Sequence, residues 1–111
     1  MIAEKSNALP VILVGDFNCL PDSTPYEAII AQADKPLLDA RQMSMQPAGG
    51  PNSTWCGFKK IAPNRIIDHV FVGGPIEVES LTVLNPKTDK DRFGSDHLPV
   101  QIVATISKAK R

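Results

Sequence analysis

The chain has 111 residues, enough for one domain with one core and too few for two. Its apolar fraction of 42% and scarcity of charge runs exclude a disordered chain. Twelve basic and twelve acidic residues cancel, which removes the case for long-range attraction to nucleic acid but leaves room for a local basic groove.

Residues 2–7 read as the last turn of a helix whose body lies elsewhere, so the sequence is expected to be a piece of a longer domain. Leu9 to Val14 is an apolar, largely β-branched run, which predicts a strand covered on both faces. It breaks off into Gly15-Asp16-Phe17-Asn18, with Asp16 and Asn18 either a turn that stops the strand or a pair of reactive groups at its tip. The two side chains point the same way if the backbone stays extended. Thr24-Pro25-Tyr26-Glu27 then predicts a helix capped by Thr24, with Pro25 at its first position and Glu27 completing a capping box. Tyr26, Ile29, Ile30 and Ala33 share one face of that helix, which should stop before Pro36.

Residues 44–64 form a long polar loop, interrupted by a brief strand at Ser53-Thr54-Trp55. Ile66 to Val72 is a second apolar strand, ended by Gly73-Gly74-Pro75. Ile76 to Leu84 is a third, with Glu77 and Glu79 turned outward and a slip in alternation near Ser80 that predicts a bulge. After a polar loop over residues 85–94, Val100, Ile102, Ala104 and Ile106 alternate through a last strand. The basic end, residues 108–111, reads as solvated. This order fits an α/β sheet with helical cover.

Cys19 and Cys56 make no disulfide framework and no C-x-x-C metal spacing; they read as free thiols, with a pairing left open. No stretch has the apolar length of a membrane span, and residues 1–5 do not open a signal peptide, so localisation stays undetermined.

Three polar sites fall at strand ends. Asp16 and Asn18 form the first. Asp68 lies inside Arg65-Ile66-Ile67-Asp68-His69-Val70-Phe71-Val72, and Ser95-Asp96-His97-Leu98-Pro99-Val100 precedes the last strand. Burying a lone carboxylate is costly, so Asp68 needs a partner, Arg65 or Lys60 in an ion pair, or a place at a cleft. Three strands that each bring an acid to one end of a sheet outline a possible site. Trp55 reads as a wall of that site or as a rim or core residue.

In order and spacing, Val14-Gly15-Asp16-Phe17-Asn18, Arg65 to Val72 and Ser95 to Val100 resemble the C-terminal motifs of the endonuclease/exonuclease/phosphatase superfamily with the DNase I-like fold. Thr54-Trp55-Cys56-Gly57-Phe58 is similar to a Thr-aromatic-x-Gly-Phe stretch of its bacterial members. Arg65 departs from the pattern, lying three residues before Asp68 rather than two, which implies a local bulge at Ile67 or a shifted register. The resemblance implies that residues 1–111 are the C-terminal half of a four-layer α/β sandwich, contributing one mixed β-sheet with helical cover.

It further implies a metal-dependent phosphoesterase. Asp16 would activate or position the attacking water and Asn18 would orient it or the phosphate. His97 would contact a phosphoryl oxygen as imidazolium, with Asp68 accepting its other N–H. Asp96 would bind Mg²⁺ or Mn²⁺ together with a Glu from the half not represented here. Substrates of the superfamily include nucleic acid, inositol phosphate and phospholipid head groups. His69 stands where many relatives have an aromatic residue and reads as structural. An isolated half is expected to be inactive and to self-associate or pair with its missing half; the alternative is an inactive remnant or binding module that retains the motifs.

Overall fold

A computed structural model of the chain describes residues 9–31, 37–86 and 92–107. The expected helical turn at residues 2–7, Ala33, the stop at Pro36 and the basic end lie outside these residues. The elements run β1 (Val11–Asp16), α1 (Thr24–Ile30), β2 (Leu38–Asp39), α2 (Ala40–Met43), β3 (Asp68–Gly73), β4 (Ile76–Val83) and β5 (Val100–Ile106).

The α/β character is as expected, but in place of one mixed sheet the described strands form two antiparallel sheets. One has the order β1-β3-β2; the other pairs β4 with β5. The division falls at Gly73-Gly74-Pro75. Gly74 there has φ +77, and a Cβ on it would lie 2.3 Å from the Leu9 carbonyl oxygen, so only glycine lets the chain turn that tightly out of one sheet into the other. The bulge expected near Ser80 is present as a register shift between Val78 and Ser80.

Alternation along β3 builds the layers. Val70 and Val72 pack with Ile76, Val78 and Leu81 of β4 and with Ala40 of α2, the core between the sheets. Phe71 turns to the other face, where Tyr26, Cys19 and Leu37 surround it and Ile29 and Ile30 of α1 complete the cover. Fully burying side chains of this size contributes about 1.5–3 kcal/mol each. The Tyr26 hydroxyl donates to Asp39 at 2.6 Å, and Asp39 also accepts the Arg41 N–H to cap α2. Burial first, and then that carboxylate, push the Tyr26 pKa up, so the phenol stays a donor.

The start of α1 differs from expectation. Ser23 is the cap residue, and its carbonyl accepts the Glu27 N–H at 2.9 Å. Its hydroxyl bonds back to the Leu20 carbonyl instead of capping. Thr24 and Pro25 therefore occupy the first two helical positions, and Glu27 stands one residue too late for a capping box.

The larger correction concerns β1. A run this apolar was expected to be covered on both faces, yet all six residues of β1 are exposed, Val14 at 61%. Among the described strands β1 pairs only with β3 and forms the edge of its sheet, so its side chains stay open to solvent.

Candidate active site

Asp16 and Asp68 are direct cross-strand partners at the ends of β1 and β3, where the register runs without a break from Val11 opposite Gly73. Like charges directly opposite one another in a sheet repel. The third group resolves the conflict. His97 Nδ1 lies 2.7 Å from Asp68 Oδ2, and Nε2 lies 3.5 Å from Asp16 Oδ2. Alternation places Asp68 on the same face of β3 as Val70 and Val72, toward the second sheet, and His97 arrives there from the loop that leads into β5. Asp68 thus pairs with His97, not with Arg65 or Lys60.

The hydrogen bond to Asp68 is the main cause raising the His97 pKa above its ordinary 6.5; partial burial opposes it, and the charges of Asp68, Asp16 and Asp96 add to it. An imidazolium at this position donates from Nδ1 to Asp68, faces the Asp16 carboxylate with Nε2, and offsets the repulsion between the two acids. The raised folded-state pKa contributes stability that is fully present below 6.5 and is lost as pH rises through that elevated value. The melting-temperature difference between the protein and its His97→Gln variant should therefore be largest near pH ~6 and shrink on going alkaline. Thermal melts in a pH series read this directly. A difference that grew with pH would contradict the pairing.

Asp16 and Asn18 do not stay extended as the spacing suggested. Asn18 has φ 49, and its N–H bonds the Asp16 carboxylate at 2.9 Å. The turn and the strand tip are therefore the same feature: Asp16 caps the turn and still faces His97. Asn18 is exposed and is not drawn into the cluster. Asp96 is half-buried beside His97, but the set whose donor atoms lie within 4.8 Å of one another is Asp16, Asp68 and His97, without Asp96.

The loop carrying Asp96 and His97 is clamped by residues 54–57. The Cys56 and Gly57 N–H groups donate to the Asp96 carbonyl at 2.8 and 3.1 Å, and the Leu98 N–H donates to the Thr54 carbonyl at 2.9 Å. The expected strand at residues 53–55 is reduced to a single bridge between Trp55 and His97. The Trp55 ring meets His97 edge-on at 5.2 Å, while the Arg65 guanidinium lies 5.9 Å over it. Trp55 is thus a wall of the cluster. Cys56 is a buried free thiol that donates toward the Ser95 and Asp96 carbonyls; Cys19 is free as well.

His69 is structural, as expected. It is buried on the α1 face, bonded to the Cys19 carbonyl at 2.7 Å and packed against Tyr26 and Phe71. The extra residue between Arg65 and Asp68 puts no bulge into β3. Ile66 and Ile67 lie buried just before the strand begins at Asp68.

Among solved structures, the chain is similar to a functionally unknown conserved protein from Enterococcus faecalis (TM-score 0.75, 23% identity), covering 96% of this chain and 40% of that one. It is also similar to a mannosyl-6-phosphatase from Bacteroides thetaiotaomicron (TM-score 0.73, 26% identity, 93% and 40% covered). An endonuclease/exonuclease/phosphatase protein from Bacteroides vulgatus matches with TM-score 0.75 and 25% identity over 88% of this chain and 37% of that one. The chain thus spans about 40% of the length of the first two. No curated protein matches. The sequence profile of the Endonuclease/Exonuclease/phosphatase family matches residues 2–97. With the acids and the imidazole brought together at the strand ends, and with that match over most of its length, the chain belongs to the endonuclease/exonuclease/phosphatase family.

Proposed function

We propose that this chain supplies the acid–base side of a metal-dependent phosphoesterase. The observation that carries the reading is the His97 imidazole, bonded at Nδ1 to Asp68 with Nε2 turned toward Asp16. Asp68 fixes the ring, so that Nε2–H can donate to a phosphoryl oxygen as negative charge accumulates there. Asp16, half-exposed at the strand tip, is placed to hold and deprotonate a water. Asn18 orients that water or the phosphate.

The Asp96 carboxylate offers the oxygen ligand that suits a hard divalent cation. Asp96, with groups from outside this chain, would hold Mg²⁺ or Mn²⁺. Asp68 and His97 are already committed to each other at 2.7 Å, which leaves them poor candidates as ligands. When bound, the ion neutralises charge on the phosphoryl oxygens. The substrate is a phosphate ester. The sugar phosphatase among the similar structures makes a phosphomonoester the first to try.

The test is hydrolysis of bis-p-nitrophenyl phosphate and mannose 6-phosphate by the complete protein, with Mg²⁺ and with EDTA. Hydrolysis that appears with Mg²⁺ and vanishes with EDTA is expected. No turnover of either ester above the buffer rate would overturn the reading. Residues 1–111 alone are expected to be inactive, because they span about 40% of the similar structures. The second reading is an inactive remnant or binding module that retains the motifs; it predicts no turnover by the complete protein, with ester binding if it is a binding module.

A further inference from the structure

We infer that Thr54 is the positioning residue that holds Asp68 in register with His97. Thr54 has no exposed surface, and it sits between the entries to two strands of different sheets. Its hydroxyl oxygen accepts the Ile67 N–H at 2.9 Å and the Asp68 N–H at 3.1 Å. Its own N–H donates to the Arg65 carbonyl, and its carbonyl accepts the Leu98 N–H, each at 2.9 Å. One residue therefore holds the backbone of Asp68 with its side chain and the backbone next to His97 with its main chain.

The arrangement is specific to a hydroxyl. In a regular strand successive N–H groups diverge and pair with different neighbours. Here β3 begins only at Asp68, and the N–H groups of Ile67 and Asp68 converge on one oxygen before the ladder takes over. Buried N–H groups must find acceptors, and a hydroxyl has two lone pairs to offer. Valine has the same shape and neither lone pair. Both amides would then have to seek other partners, moving the start of β3 and with it the Asp68 carboxylate, whose bond to His97 leaves little slack at 2.7 Å. Ser53 reinforces the same point, its hydroxyl donating to the Arg65 carbonyl at 3.2 Å. The kinetic consequence depends on the phosphoesterase reading; the structural one does not.

The experiment compares Thr54→Val, which removes the acceptor, with Thr54→Ser, which keeps it, in the complete protein. Proton NMR of the metal-free protein reads the Asp68–His97 bond as a strongly deshielded Nδ1–H resonance, assigned by its absence in His97→Gln. The resonance should persist in Thr54→Ser and disappear in Thr54→Val while circular dichroism stays native. In the hydrolysis assay, Thr54→Val should lower kcat on the order of tenfold to a hundredfold with KM little changed, and Thr54→Ser should restore most of it. An unchanged resonance in folded Thr54→Val overturns the inference, whatever the activity. Should Thr54→Val fail to fold, Thr54→Ser decides: loss of the resonance in a natively folded serine variant also overturns it. Resonances that behave as stated, in a protein without esterase activity, support Thr54 and overturn only the phosphoesterase reading.

Discussion

Replacing His97 with alanine is expected to lower kcat for phosphoester hydrolysis by about 10²–10⁴-fold in the complete protein, the usual contribution of a positioned acid–base group. On the proposed mechanism the substitution removes two things at once: the donor to the phosphoryl oxygen, and the imidazole lying between two carboxylates that face each other across β1 and β3. Asp16→Asn should fall in the same range, because an amide cannot deprotonate water. Asp68→Asn is predicted to be milder. Its amide oxygen can still accept the His97 Nδ1–H and hold the ring, but the charge that favours the imidazolium is gone. Steady-state kinetics on the three variants give the ranking, and circular dichroism checks that each is folded. Near-full activity in both His97→Ala and Asp16→Asn would sink the mechanism.

That these residues meet at all was partly legible from sequence. An acid off the end of an apolar run, an acid inside another, and an acid–imidazole pair ahead of a third are signals that local chemistry makes visible, because buried charge demands a partner. The alternation of β4 and the slip at Ser80 were legible for the same local reason. The pairing of the strands was not. Nothing in the runs Leu9 to Val14 and Ile66 to Val72 tells which face meets which sheet, and β1 has the composition of a buried strand yet lies exposed at an edge. Composition reports what a strand can tolerate; its neighbours decide what covers it. Thr54 and Cys56 were hidden for a different reason. Their roles are hydrogen bonds to main-chain groups at residues 67–68 and 95–96, and main-chain partners leave no mark on sequence. The hint was the likeness of Thr54-Trp55-Cys56-Gly57-Phe58 to a Thr-aromatic-x-Gly-Phe stretch, which marks the segment without telling what Thr54 or Cys56 holds.

Residues 1–111 alone should self-associate at micromolar concentration, and β1 should be the surface responsible. Opposed residues in an antiparallel pair point to the same face. Ile12 and Val14 therefore share the inter-sheet face of Val72 and Val70, while Leu13 shares the α1 face of Phe71. Each β3 partner is buried and each β1 residue is not, so the apolar layers on both sides of the sheet run out to an open edge. That edge also carries backbone N–H and C=O groups that no described strand pairs. An exposed apolar edge with free ladder groups is a template for another strand. Sedimentation velocity on the isolated chain should show concentration-dependent species larger than a monomer. Val14→Lys, which sets a charge on the edge without touching the Asp16–His97–Asp68 cluster, should shift the distribution toward monomer. A monodisperse monomer that melts cooperatively would mean that this edge is closed in solution. If the lysine variant associates as strongly as the parent, a different surface is at work, and Leu9, Val103 and Ile106, which also stand exposed, become the next to test.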